Sequence, residues 1–213
     1  MDELDLLKKD WKKSDDKFPK LSYNQIYSMI LKRSSSIVKW IFIISILEFV
    51  LWTGIAFFIK DTESMKRFES YSNNSVYTPL VIIGYIILAY FFYLFFRNYR
   101  NISVTDSAKV LMENIIKTRK TVRYYVLFNL GYLVASTIAA LFVEFNNDDI
   151  LINQAQQAAA SGEIFKFYAV FIIATVLMLA VVIGVLLLFY WLIYGLLLKR
   201  LNSNYNELKK LEI

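Results

Sequence analysis

The sequence contains no cysteine and no histidine. The first absence rules out disulfides and thiolate metal sites. The second closes most routes to enzyme chemistry. Zinc and non-haem iron sites draw on histidine or cysteine, and a nucleophile–histidine pair is impossible. Glycine is scarce as well: the six residues are scattered, mostly inside apolar segments, so no glycine-rich loop exists to cradle phosphates. Paired aspartates within an apolar segment are also missing. A serine–lysine dyad is compositionally available, because Ser34, Ser35 and Ser36 precede Lys39. That triplet reads more simply as the polar start of an apolar span. The chain is therefore expected to be a non-enzyme with no cofactor and no metal.

What the sequence has in abundance is apolar length. Four stretches, residues 40–59, 78–96, 124–143 and 167–198, hold 20, 19, 20 and 32 residues. About 20 helical residues cross a hydrocarbon core of about 30 Å. The fourth stretch makes about 48 Å of helix at that rise, so its end is expected to project beyond the bilayer. Barrel strands alternate apolar and polar positions, whereas residues 177–188 are continuously apolar. A soluble fold of 213 residues would lack the polar surface to cover four such helices. The expected fold class is all-α: a polytopic membrane protein with four transmembrane helices and short cytoplasmic amphipathic helices.

Charge gives the expected orientation. Lysine and arginine number nine in residues 1–39, three in 60–76, seven in 97–123, one in 144–166 and four in 199–213. The positive-inside rule then puts both chain ends in the cytoplasm, with the acidic loop carrying Glu144, Asp148, Asp149 and Glu163 outside. Much of the net charge of +6 is this sidedness, so anionic lipid explains it before nucleic acid does. The polar, charged first 36 residues argue against a cleavable signal peptide, and the first span is expected to direct insertion.

Three regions follow. Residues 1–36 form a cytoplasmic amphipathic arm. Residues 37–198 form the transmembrane bundle, with a cytoplasmic helix over 103–121 between its second and third spans, and residues 199–213 form a tail that continues as helix. In the arm, Leu4, Leu7 and Trp11 share a helical face ringed by lysines and are candidate partner-binding residues. Ser22 with Gln25 matches a capping box, and Leu21 with Ile26 a hydrophobic staple. Ser103 with Asp106 is the expected cap of the 103–121 helix, whose Val110, Leu111, Ile115 and Ile116 make an apolar face. Small residues at four-residue spacing, Gly131, Ala135 and Ala139 on the third span and Ala180 and Gly184 on the fourth, are the expected packing ridges. Aromatics at the inner ends, among them Trp40, Tyr90, Tyr93, Tyr124, Tyr125, Tyr190, Trp191 and Tyr194, read as an interfacial belt. Val81, Ile83, Gly84, Leu88 and Tyr90 recur at an offset of 100 residues, which hints at a duplication of the two halves.

Glu48 is the sharpest polar feature. It lies near the middle of the first span, where an acid costs about 2.5–3.5 kcal/mol on insertion scales and needs a partner or a proton. Matched by depth, Tyr132 and Ser136 on the third span are its expected partners, ahead of Asn129.

The segments ELDLLKKDW at 3–11, PKLSY at 19–23 and SSSIVKWI at 34–41 resemble a family of small four-span proteins from bacteroidete-type bacteria. Some members carry the label beta-carotene 15,15'-monooxygenase. Carotenoid-cleaving oxygenases depend on histidines, and this chain has none, so the resemblance implies a bacterial inner membrane and does not assign an activity. The expected function is a membrane-tethered regulatory or binding component acting through its cytoplasmic arm; the alternative is a small transporter or channel subunit using Glu48. Expected partners are the lipid bilayer, a soluble cytoplasmic protein and a second copy of the chain, with nucleic acid not expected.

Overall fold

The computed structural model describes residues 22–72, 77–105 and 107–211. Among these the protein is all-α, with six continuous helices and no strand. They are α1 (Tyr23–Ile59), α2 (Glu63–Ser72), α3 (Tyr77–Ser103), α4 (Ala108–Asn147), α5 (Asp149–Ala160) and α6 (Ile164–Tyr190). A π-helical turn (Trp191–Gly195) carries α6 directly into its continuation α7 (Leu196–Leu211). Four of these, α1, α3, α4 and α6 with α7, are long and apolar enough to cross a membrane, and the molecule is a polytopic membrane protein.

Two expected boundaries are absent. Residues 23–36 do not form a helix separate from the first span; α1 runs unbroken for 37 residues, about 55 Å. The 103–121 helix and the third span are likewise one helix of 40 residues. No glycine or proline interrupts residues 22–53 or 103–130, so nothing stops either helix at the edge of its apolar run. The capping box at Ser22 forms, with the Gln25 amide donating to Ser22 Oγ at 3.3 Å and the Ser22 amide to Gln25 Oε1 at 2.9 Å. Leu21 of the expected staple lies outside the described residues. Ser103 does not cap α4 but ends α3, and Ser107 takes the N-cap position without a side-chain bond.

The four long helices close a ring in which α1 packs along α3, α3 along α4, and α7 against both α4 and α1. Each contributes a seam at spacings of three or four residues. On α1 the seam is Ile30, Ser34, Ile37, Ile41, Ser45 and Glu48, all buried. On α4 it is Leu111, Ile115, Thr118, Val122 and Tyr125, and on α7 Leu201, Asn204 and Leu208. This is the heptad signature of left-handed helix packing. The best-buried core lies at the end of the bundle where α1 begins and α7 ends, and it includes Phe95 and Ile102 from α3. Each such side chain contributes about 1.5–3 kcal/mol when fully buried.

Polar pairs punctuate this core. Asn204 Nδ2 donates to Ser34 Oγ at 2.9 Å, both residues fully buried. Asn98 donates to Thr121 Oγ1 at 3.0 Å, and Asn114 to Thr105 Oγ1 at 3.3 Å. Arg119 reaches across to Asn202 at 2.7 Å.

The other end is looser. Along α6, Val170, Ile173, Val176, Leu177, Val181 and Val185 are exposed, as lipid-facing residues must be. The expected ridges do not close the bundle: Gly131, Ala135, Ala180 and Gly184 are all exposed, and Ala139 is half-buried. A Cβ added at Gly131 or Gly184 would meet nothing within 4 Å. The close approach is instead at Gly84, where a Cβ would overlap the Tyr132 ring. Gly162 (φ 75°) supplies the left-handed turn between α5 and α6, where the Glu163 amide donates to the Ala158 carbonyl at 2.8 Å.

Candidate functional site

Glu48 is the last buried residue of the α1 seam, with 6% of its surface exposed. Three phenols converge on it. Tyr190 donates to Oε1 at 2.6 Å, Tyr125 to Oε2 at 2.9 Å and Tyr194 to Oε2 at 3.4 Å. The cage thus ties α1 to α4 and to both edges of the π-helical turn. Tyr190 closes α6, and Tyr194 lies inside the turn. Asn129 interacts with the phenols of Tyr125 and Tyr190. Tyr125 is further fixed by edge-on contacts with Phe91, Phe95 and Tyr194 at centroid distances of 5.6, 5.3 and 6.1 Å. A carboxylate offers about four lone-pair directions, so three donors leave it one.

The expected partners of Glu48 are therefore corrected. Tyr132 donates to the Leu80 carbonyl at 3.3 Å and stacks on Phe128. Ser136 donates to Leu133 of its own helix at 3.1 Å. The reason is register. Glu48 is the ninth residue of the first apolar stretch, and Tyr125 only the second of the third. The seams, not the starts of the apolar runs, set which residues lie level. From Ser34–Asn204 to Glu48–Tyr190 the pairing steps 14 residues along each helix in opposite directions. A heptad count from Ile30 on α1 and Leu208 on α7 carries the signal that depth matching missed.

The aromatic belt also divides. Trp40, Tyr90, Tyr93, Tyr124 and Trp191 are exposed, as anchors are. Tyr125, Tyr190 and Tyr194 are between 1% and 5% exposed and belong to the cage. The partner-binding candidates Leu4, Leu7 and Trp11 lie outside the described residues.

Beyond Glu48 the four helices part around a cavity of about 480 Å³. It extends from Glu48 and Tyr190 past Gly84 to Tyr77, at the start of α3. Tyr132 and Ser136 line it too, so they share the space with Glu48 without touching its carboxyl. Eight of its 19 lining residues are aromatic, Glu48 is its one acid, and it has no lysine or arginine. Phe68 of α2 packs edge-on against Tyr77 at 5.0 Å, beside the far end. No cluster of histidine, cysteine and carboxylate suited to a metal occurs among the described residues.

Fold and site together define an all-helical polytopic membrane protein with a tyrosine-caged carboxyl at one end of an aromatic cavity. The chain belongs to the family described as Domain of unknown function (DUF8845), whose match covers residues 24–213. No curated protein and no solved structure matches it significantly.

Proposed function

We propose that this protein is a non-enzymatic membrane binding or transport component that admits a lipophilic organic cation to the cavity, with Glu48 as its counter-charge. One observation carries the reading: the one acid that lines the cavity, Glu48, stands among eight aromatic residues, and the lining holds no lysine or arginine. A carboxyl serving only to register helices is best placed in a closed seam, as Ser34 and Asn204 are. Aromatic faces attract cations, and a volume of this size suits a small ligand. The charge asymmetry supports an orientation with both ends cytoplasmic, which puts Glu48 toward the inner side.

Equilibrium binding of tetraphenylphosphonium to the detergent-solubilised protein tests this. The wild type should bind saturably. Glu48→Gln should lose binding while keeping its helicity and elution volume. Equal binding by the two would remove Glu48 from the site, and no saturable binding by the wild type would reject the ligand class. In proteoliposomes, a proton-linked flux should disappear with the same substitution.

The tethered-regulator reading is the second, favoured by the extent of packed structure at the basic end. Seventeen residues of α1 precede residue 40, about 25 Å more helix than a span needs. The family match begins at residue 24, so Leu4, Leu7 and Trp11 lie outside the matched residues. The discriminating truncation ends at residue 21, because a cut at 36 removes Ile30 and Ser34 from the core. A soluble protein that co-purifies with the full chain but not with the truncated one would support this reading; none would argue against it.

A further inference from the structure

A second concavity lies between α1 and α7, on the outside of the bundle and away from the Glu48 cavity. It measures about 500 Å³ and is lined by Lys32, Arg33, Ser36 and Trp40 from α1 and by Leu197 and Arg200 from α7, over Met29 and Ile37. Its chemistry is one-sided: three cations from two helices and no carboxylate. Elsewhere at this end, Glu113 pairs with Lys117 at 2.9 Å and Glu207 contacts Ser203 at 3.4 Å, so neither neutralises the groove. None of the three cations is in an ion pair among the described residues.

The groove also sits at a definite height. Trp40 begins the first apolar stretch and Leu197 lies one residue before the end of the fourth, where headgroups meet hydrocarbon. From there, exposed leucines continue along both helices: Leu47 and Leu51 on α1, Leu196 and Leu192 on the other. A free anion would use the cations and leave this apolar lane bare. A molecule with a phosphate at one end and acyl chains at the other uses both.

We infer that this groove is a binding site for the headgroup of one anionic phospholipid, held by Lys32, Arg33 and Arg200 with its chains along the α1 and α6–α7 leucines. Basic pockets between spans at a membrane face suit anionic headgroups. The two helices joined at the groove are also tied by Ser34–Asn204, and α6, which runs into α7 through the π-helical turn, is tied to α1 by Glu48–Tyr190, so a bound lipid would clamp the α1–α7 contact from outside.

Native mass spectrometry of the full-length protein, delipidated in detergent and titrated with phosphatidylglycerol or phosphatidylcholine, tests the inference. One phosphatidylglycerol should be retained per chain in preference to phosphatidylcholine. Each of Lys32→Gln, Arg33→Gln and Arg200→Gln should weaken retention about fivefold, the effect of one surface charge. A variant with Lys109, Lys120 and Lys210 changed to Gln loses as much charge elsewhere and should bind as the wild type does. Equal retention of the two lipids, or equal loss in that control, would overturn the site. Full displacement of the lipid by millimolar inorganic phosphate would overturn the acyl-chain contribution. If a groove variant fails to fold, the lipid preference of the wild type and the control variant still decides.

Discussion

At the residue scale, the three phenols around Glu48 are not equivalent. Tyr190 makes the shortest bond, 2.6 Å, and Tyr194 the longest, 3.4 Å. Tyr190→Phe keeps the ring and removes the donor, so a buried carboxyl oxygen loses its partner at a cost of about 1–3 kcal/mol. Tyr194→Phe should cost less, because Oε2 keeps the 2.9 Å bond from Tyr125. Unfolding of each variant in mild detergent checks the order, and an equal or reversed ranking would show that the Tyr190 bond does not anchor the cage. Glu48 itself was legible in the sequence, because an acid inside an apolar run is costly wherever it sits. Its partners were not. Tyr125, Tyr190 and Tyr194 resemble interfacial anchors in composition and position, and only the register of the seams separates them from Tyr124 and Trp191, which are exposed.

At the scale of elements, two contrasts follow from packing. Gly84 and Gly184 occupy matching places in the two similar segments of sequence, yet their surroundings differ. Gly84→Ala drives a methyl into the Tyr132 ring and should cost about 1–3 kcal/mol, with Tyr132→Leu relieving it. Gly184→Ala meets open space and should leave the unfolding midpoint unchanged. Matching outcomes for the two would restore the equivalence of the halves that the sequence hints at and the burial of Tyr190 against the exposure of Tyr90 denies. The second contrast is the Ser34–Asn204 pair. Asn204 Oδ1 has no hydrogen-bond partner among the described residues, so half of this amide is already unsatisfied there. Ser34→Ala strands the other half and should destabilise by about 1–3 kcal/mol, whereas adding Asn204→Leu to it should recover most of the loss. Thermal melts of the single and double variants form a cycle that reads the coupling directly. Helix identity was legible from apolar length, but helix extent was not. The polar-to-apolar transitions at 36/37 and 123/124 mark a change of solvent, and the backbone crosses them without a break because neither glycine nor proline stands there.

At the scale of the whole molecule, the four long helices form one bundle with two characters. The basic end is a seam of buried aliphatic side chains and paired amides, and the far end opens around aromatic space with α6 turned to lipid. In water the first arrangement is held by the hydrophobic effect. In hydrocarbon that force is absent between helices, and packing with hydrogen bonds must serve instead. The division fits a basic end that stands in water and a cavity that lies within the bilayer, and the proposed orientation puts that basic end in the cytoplasm. The absence of cysteine makes this directly measurable, since every introduced thiol is the only one. In intact cells, a membrane-impermeant maleimide should label Lys60→Cys, beyond α1, and Ser161→Cys, beyond α5. It should reach Lys109→Cys and Lys209→Cys only after permeabilisation, and Leu177→Cys, on the lipid face of α6, in neither state. Labelling of Lys109→Cys in intact cells would invert the molecule. Ready labelling of Leu177→Cys would instead bring water to the α6 face and end the assignment of that helix to the bilayer.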